Sequence, residues 1–383
     1  MSGPLRIAML SDDYDPAATG VGIHVQILAR ELIDQGQQVV VITARHPGQS
    51  EREENDGLTV HRVRSTNADG HIVGTASAGQ LKELLEREKI QLLHIHYFGV
   101  MMEMGLRAAR KLGLPVVYTF HMGIEHVTQS WPLSWLKPVL AWKYKQMCRA
   151  VDQIIVPTPA LKETLTKNDP ELKAVEAITN PIVQPKAEGA APEASKAFTV
   201  LFVGRLSPEK NLGMLLEAFA LFHKQHPTPS RLVLVGQGVM DETLRRTAKS
   251  LGLEKDVVFA GQKSHRELGH DYGACDVFVL PSTFETQGMV AVEAMWLRKP
   301  VLVSKDIVSA RELVTDGENG FLISSSDPAD TAARLTQLAA DAGLRQRLGD
   351  AGHARAQRYS PAGIAAQVLE LYRKTMERTR RSP

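Results

Sequence analysis

The chain has 383 residues, too many for one ordinary hydrophobic core, so two or more domains are expected. Its composition, 43% hydrophobic and 23% charged, is that of a soluble globular protein, and a net charge of +2 with no basic stripe argues against a nucleic-acid partner. The two cysteines, Cys148 and Cys275, lie far apart with no CxxC spacing, which excludes a disulfide framework and fits a reducing, cytoplasmic setting.

The opening MSGPLRIAML lacks a basic n-region and a cleavage site, so it reads as the approach to a first strand and not as a signal peptide. No apolar run reaches the roughly 18 residues that a membrane span needs. LRIAML (5–10) is a buried strand, SDDYDPAATGVG (11–22) a loop, HVQILARELIDQG (24–36) a helix and QVVVIT (38–43) the next strand. HRVR (61–64), IQLLHIH (90–96), PVVYTFH (115–121) and DQIIVPT (152–158) follow as strands, with helices predicted over 77–89 and 103–112. This alternation predicts parallel βαβ units. Residues 181–197, PIVQPKAEGAAPEASKA, have the composition of a linker. The pattern then restarts with strand FTVLFVGRL (198–206), helix PEKNLGMLLEAFALFHKQ (208–225) and strand RLVLVGQG (231–238). VVFAGQK (257–263), DVFVLPS (276–282) and KPVLVS (299–304) continue it, and a last helix covers roughly 361–379. The expected fold is therefore α/β, with two doubly wound, Rossmann-like domains at about 1–180 and 198–360 facing across a cleft. Ligands in such sheets bind beyond the carboxyl ends of the strands.

Three segments sit at those ends. Gly20 and Gly22 flank Val21 after the first strand, where glycines let backbone amides approach a phosphate; a tight turn explains them equally well. The second strand ends VVVITARH, without the acid that a nicotinamide dinucleotide requires for its ribose. In GRLSPEKNL, Ser207 is a plausible N-cap and Pro208 an N1 residue, which places Lys210 in the first helical turn. A cation there opposes the helix dipole, and with Arg205 it suits a diphosphate. In PSTFETQGMVAVEAMW (281–296), a helix is predicted from about Gly288, so the amides of Gly288, Met289 and Val290 form its positive end. Glu285 precedes that end. Glu293 follows with seven residues between the two acids, among apolar neighbours, where a carboxylate is costly unless it is bonded, for example by a vicinal diol. An internal Arg or backbone partner would serve as well.

Together the TGVGIHV loop, the GRLSPEKN segment and the spacing of Glu285 and Glu293 resemble the retaining, GT-B-fold glycosyltransferases of family 4, over most of the chain. The resemblance implies that Arg205 and Lys210 hold a donor diphosphate, that Glu293 binds the ribose and that Glu285 contacts the donor sugar. It also implies that Gly20, Val21 and Gly22 approach the diphosphate from the first domain. His121, at the end of PVVYTFH, would stand near the reacting sugar, and residues 361–383 would cross back to the first domain. Where many members read E-x-F-G, this chain reads Glu285-Thr286-Gln287-Gly288, a version similar to bacterial glucosyltransferases acting on diacylglycerol. Base contacts are expected near Gly261 to His265, Lys263 among them. The implied activity is retaining transfer of a sugar from a nucleotide diphosphate sugar, a UDP-sugar by resemblance, to a hydroxyl of a membrane lipid or glycan. A nucleotide-sugar epimerase and a non-catalytic nucleotide-sugar binder are the alternatives. No cofactor is expected beyond the nucleotide sugar as co-substrate, and no metal. Asp13-Tyr14-Asp15 follows the first strand of a Rossmann-like unit, and His94-x-His96 has no third ligand at clear spacing.

The acceptor domain also carries SWPLSWLKPVLAWKYKQMCRA, with Trp131, Trp135 and Trp142 interleaved with Lys137, Lys143, Lys145 and Arg149. Aromatics beside cations suit a bilayer interface, and they equally suit a helix packed on its own domain with snorkelling lysines. The first alternative puts the protein peripherally on the inner face of the cytoplasmic membrane.

Overall fold

The computed structural model describes residues 3–15, 20–68, 71–121, 137–182, 184–185, 197–226, 229–285 and 287–381. They form two units: Met1–Pro181 together with Pro361–Pro383, and Ile182–Ser360.

The first unit runs β1 (Arg6–Leu10), α1 (Gly20–Asp34), β2 (Gln38–Ala44), β3 (Arg52–Asn55), β4 (Leu58–Val63), β5 (Ser65–Ala68), β6 (His71–Gly74), α2 (Ala78–Arg87), β7 (Leu92–Ile95), α3 (Val100–Lys111), β8 (Val116–Thr119), α4 (Lys137–Ala150), β9 (Gln153–Val156), α5 (Pro159–Asn168) and β10 (Val175–Ala177). Eight strands make one sheet in the order β10-β9-β8-β7-β1-β2-β4-β3. All neighbours are parallel except β3 and β4, which form an antiparallel edge hairpin. A separate antiparallel pair, β5 and β6, was not legible in the sequence pattern.

The period of two along each strand divides the core. Ala8 and Leu10 of β1, with Val40 and Ile42 of β2, pack under α2, α3 and α4. Ile7 and Met9, with Val39 and Val41, pack on the opposite face under α1 and the C-terminal helix. That helix presents Ile364, Ala365, Val368, Tyr372 and Met376, a stripe at helical spacing, to Val25, Leu28, Ala29 and Leu32 of α1.

The second unit runs β11 (Phe198–Val203), α6 (Leu212–Gln225), β12 (Ser230–Val235), α7 (Asp241–Ser250), β13 (Val257–Gly261), α8 (His265–Ala274), β14 (Val277–Leu280), α9 (Met289–Trp296), β15 (Val301–Ser304), α10 (Ala310–Leu313), β16 (Phe321–Ile323), α11 (Pro328–Ala340) and α12 (Ala342–Ala356). The C-terminal helix, α13 (Pro361–Arg381), completes the chain. The second sheet is wholly parallel, in the order β13-β12-β11-β14-β15-β16. Its strands β11, β14 and β15 are buried on both faces, which explains their unbroken apolar runs.

In each sheet the chain works outward from its first strand, then returns and continues on the other side. The order therefore reverses between β1 and β7 in one sheet, and between β11 and β14 in the other. At such a point the loops leaving two neighbouring strands diverge and open a crevice.

Candidate functional site

In the second unit, the loop after β11 is fixed by backbone bonds to the loop after β12. Gly204 N donates to Val235 O (3.0 Å), Leu206 N to Gln237 O (2.9 Å) and Met240 N to Leu206 O (2.9 Å). This approach needs glycine on the far side. A Cβ on Gly236 would lie 1.9 Å from the Gly204 carbonyl oxygen, and one on Gly238 would lie 2.3 Å from that of Leu206. Arg205 rides on this loop and is exposed.

The continuous helix expected over 208–225 is broken. Pro208–Lys210 is a single 3-10 turn, closed by Asn211 in the left-handed region at φ 56°, and α6 starts only at Leu212. The Ser207 hydroxyl meets Glu209 Oε1 at 2.5 Å instead of capping the backbone. Lys210 thus precedes α6, and the argument from an opposed helix dipole does not hold. What holds Lys210 is the loop after β14. Thr283 N donates to Glu209 O (2.9 Å), and Asn211 Nδ2 donates to Pro281 O (3.2 Å) and Ser325 O (2.7 Å). These stitches bring the Lys210 ammonium into an ion pair with Glu285, both side chains largely buried. Burial would raise the Glu209 carboxyl, but the Ser207 hydroxyl, its own amide, Lys210 and Arg205 outweigh it and hold it below the ordinary value.

Helix α9 begins as expected. Gly288 has φ 70° and is wedged so closely that a Cβ would fall 2.9 Å from Leu280 Cδ2 and 3.1 Å from Leu313 Cδ1. Met289 and Val290 then form the first turn, whose amides point out of the helix start. Glu293, in the middle of α9, is only 5% exposed. Its partner is neither Arg nor backbone: the Tyr272 hydroxyl, on α8 and fully buried, donates to Oε2 at 2.7 Å. Burial pushes the Glu293 carboxyl up to about 7, and the Tyr272 bond pulls the other way. Sequence reasoning missed Tyr272, because its relation to Glu293 is tertiary. Lys263 is held by Asp271, with Nζ 2.7 Å and 2.8 Å from the two carboxylate oxygens.

In the first unit, Gly20, Val21 and Gly22 are not a loop but the opening turn of α1. A helix start still offers amides to an anion. His121 follows β8 and is half-buried. Its ring meets His24 of α1 (centroids 4.7 Å apart) and His96, which follows β7 (5.6 Å), with His96 Nδ1 3.3 Å from His121 Nε2. Burial holds all these rings toward the neutral form, His24 at about 4. Asp12, just past β1, accepts from Gly74 N at 2.9 Å, while its Oδ2 is buried without a partner. Burial raises this carboxyl to about 6, against the pull of the Gly74 bond. His24 and Asp12 were also missed as individual residues, although both stand in quoted segments.

The D-x-D stretch is occupied otherwise. Asp15 pairs with Arg62 (3.3 Å) and accepts from Gln49, and Tyr14 is buried. His94 and His96 do not act as a pair either: His94 Nδ1 is 2.5 Å from the Tyr372 hydroxyl and Nε2 is 2.7 Å from Thr119 Oγ1. Trp131 and Trp135 lie outside the described residues, and Lys137 is the first residue of α4. On α4, Trp142 is 63% exposed and Val139 58%. The cations that follow on the same helix are paired internally: Lys143 with Glu103, Lys145 with Asp169 at 3.8 Å, and Arg149 with Asp169 at 2.7 Å and with Glu171. Among the described residues, no helix is long and apolar enough to cross a membrane.

Two family models match in tandem: Glycosyltransferase Family 4 over residues 18–183, and Glycosyl transferases group 1 over residues 183–355. The chain belongs to the family 4, group 1 glycosyltransferases. This glycosyltransferase is similar to the alpha-monoglucosyldiacylglycerol synthase of Acholeplasma laidlawii, with 28% identity over 84% of this chain and 86% of that protein. Among solved structures it resembles sucrose-phosphate synthase from Thermosynechococcus elongatus, with TM-score 0.77 and 23% identity over 98% of this chain and 100% of that one. It also resembles Anabaena HepE, solved in complex with UDP and glucose, with TM-score 0.74 and 21% identity over 97% and 100%. The glycosyltransferase therefore has the GT-B fold, and as a family 4 enzyme it transfers a sugar from a nucleotide sugar.

Proposed function

We propose that the enzyme moves a hexosyl group from a UDP-sugar, with retention at the anomeric carbon, to a hydroxyl of a membrane lipid or glycan. The observation that carries this is the convergence of Lys210 and Glu285 at the reversal point between β11 and β14. A cation and a carboxylate held together there match the two things a donor offers: an anionic diphosphate and a hydroxylated sugar.

In this reading the incoming diphosphate draws the Lys210 ammonium away from Glu285. Arg205, exposed on the neighbouring loop, adds a second cation. The first-turn amides of α9 complete the anion cradle. Glu285, released from Lys210, accepts from a hydroxyl of the sugar. Glu293 accepts from the ribose diol, and Tyr272 steadies the carboxylate from the opposite oxygen. The bond between the anomeric carbon and the diphosphate oxygen breaks as the acceptor oxygen bonds to the same face. The acceptor proton passes to the departing diphosphate, so no side chain acts as base. Lys210 and Arg205 lower the barrier by neutralising charge that grows on the leaving group. His121, in the first unit, is kept neutral by burial and takes no part as a base.

Two facts about relatives support the substrates. HepE was crystallised with UDP and glucose, and the Acholeplasma relative is named for a diacylglycerol acceptor. Exposed Trp142 and Val139 on α4 give the first unit an apolar spot for a bilayer interface, on the inner face of the cytoplasmic membrane. Since Lys143, Lys145 and Arg149 are paired with acids, this contact would be driven by apolar burial more than by charge. UDP release from UDP-glucose in the presence of dispersed membrane lipid tests the proposal, with Lys210→Ala as the comparison. Release that depends on lipid and on Lys210 is expected; equal release by both proteins would overturn it.

A further inference from the structure

The first unit brings three histidines together from separate elements: His24 in the opening of α1, His96 past β7 and His121 past β8. One ligand nitrogen from each lies within 4.8 Å of the others, and among the described residues this is the one such group of three or more potential ligands. His96 Nδ1 and His121 Nε2 are 3.3 Å apart. Two imidazoles bound about 2.0–2.1 Å from a tetrahedral zinc ion stand about 3.3 Å from each other, so this edge already has the right length. His24 is 7% exposed, and neither of its ring nitrogens has a hydrogen-bond partner, though Asn180 approaches closely enough to favour a charged ring. A buried imidazole with at most one protein partner, the Asn180 side chain, keeps a ring nitrogen available for a ligand that is not protein.

We propose that His24, His96 and His121 form a binding site for a single zinc-class transition-metal ion, with its fourth position open. Three imidazoles without a carboxylate or thiolate suit zinc, cobalt, nickel or copper and disfavour magnesium or calcium. Burial supports this by keeping the rings in the neutral form that ligates. His94 is not a ligand, because Tyr372 and Thr119 occupy both of its nitrogens. The other nitrogen of His96, Nε2, is buried with no partner to orient the ring. Metal-binding histidines in tight sites have such a partner, so the ion here is held reversibly. The sequence hid the site, because a third ligand had to come from across the sheet. Binding of the ion does not depend on the transfer reaction proposed above.

The test is a titration of the full chain, carrying no polyhistidine tag and stripped by chelator, with cobalt(II) alone and then with zinc(II). The expected result is one equivalent of cobalt with the strong visible bands of a four- or five-coordinate ion, displaced by one equivalent of zinc. His24→Ala and His96→Ala should each weaken binding at least ~10-fold. No saturable binding, the weak bands of an octahedral ion, or unchanged affinity in both variants would overturn the proposal. If either variant fails to fold by circular dichroism, X-ray absorption of the zinc-loaded wild type decides instead: three imidazole ligands are expected, and fewer contradict the site.

Discussion

Glu293 offers the sharpest test of the donor site, because binding and protonation are linked there. Its carboxyl is raised from 4.5 to about 7, first by burial. A ribose diol would donate two hydrogen bonds and favour the charged form, so donor binding should expel a proton. With a folded pKa of about 7, the free site carries ~0.9 proton at pH 6, ~0.5 at pH 7 and ~0.1 at pH 8, and this is what binding to the ionised carboxylate releases. The same linkage weakens UDP binding by about tenfold at pH 6 relative to pH 8. Calorimetry of UDP binding in buffers of different ionisation enthalpy reads the protons directly. The phosphate groups of UDP also titrate, so the relevant quantity is the difference between wild type and Glu293→Gln, in which that contribution cancels. The linkage also has a consequence for stability. A carboxyl raised in the folded state binds more protons there between pH 4.5 and 7, so its contribution falls as pH rises through that window, by at most ~3 kcal/mol. Glu293→Gln should therefore be more stable than wild type at pH 8, and the advantage should vanish near pH 4.5. Identical proton release in the two proteins at pH 6 would refute the ribose role of Glu293.

Tyr272→Phe removes the one hydrogen bond that favours the Glu293 carboxylate, and should weaken UDP binding at pH 8 by ~1.5–3 kcal/mol in a calorimetric titration. Lys210→Ala and Arg205→Ala should each reduce turnover ~10²–10³-fold in a nucleotide-release assay, as expected when charge stabilisation of a leaving group is lost. Gly236→Ala should lower the thermal midpoint by the equivalent of at least ~2 kcal/mol and impair UDP binding, because its Cβ collides with the Gly204 carbonyl at a φ of 134°. Trp142→Ala should weaken sedimentation with lipid vesicles about fivefold, or ~1 kcal/mol, and no change would remove α4 from the membrane contact.

Much of this architecture was legible because parallel strands buried on both faces are short, unbroken apolar runs. FTVLFV, VFVL and VLVS could hardly be anything else. Strand β4 was read in part as HRVR, but its hairpin partner β3 escaped notice because REEN is fully exposed and polar, with no hydrophobic alternation to mark it. Lys210 was expected in the first turn of a long helix, but it closes a separate 3-10 turn before that helix starts. The break at Asn211 comes from bonds to Pro281 and Ser325, far away in sequence. Glu293 stood out as an acid in an apolar helix, yet Tyr272 could not, since a tyrosine on α8 looks like any core aromatic. The interleaved cations of α4 read equally as a lipid-facing set or as snorkelling lysines of a helix packed on its own domain. The acids that pair with three of them come from α3 and from the segment after α5, and no local pattern announces them.

The central claim is that Lys210 and Glu285 are the reacting end of a donor site. The most direct measurement is UDP release from UDP-glucose and other UDP-sugars with dispersed membrane lipid, wild type against Lys210→Ala, with the anomeric configuration of the product read by NMR. The account predicts lipid-stimulated release from one UDP-sugar, an α-linked product from an α-linked donor, and loss of nearly all turnover in the variant. Full turnover without Lys210, or an inverted product, would contradict it.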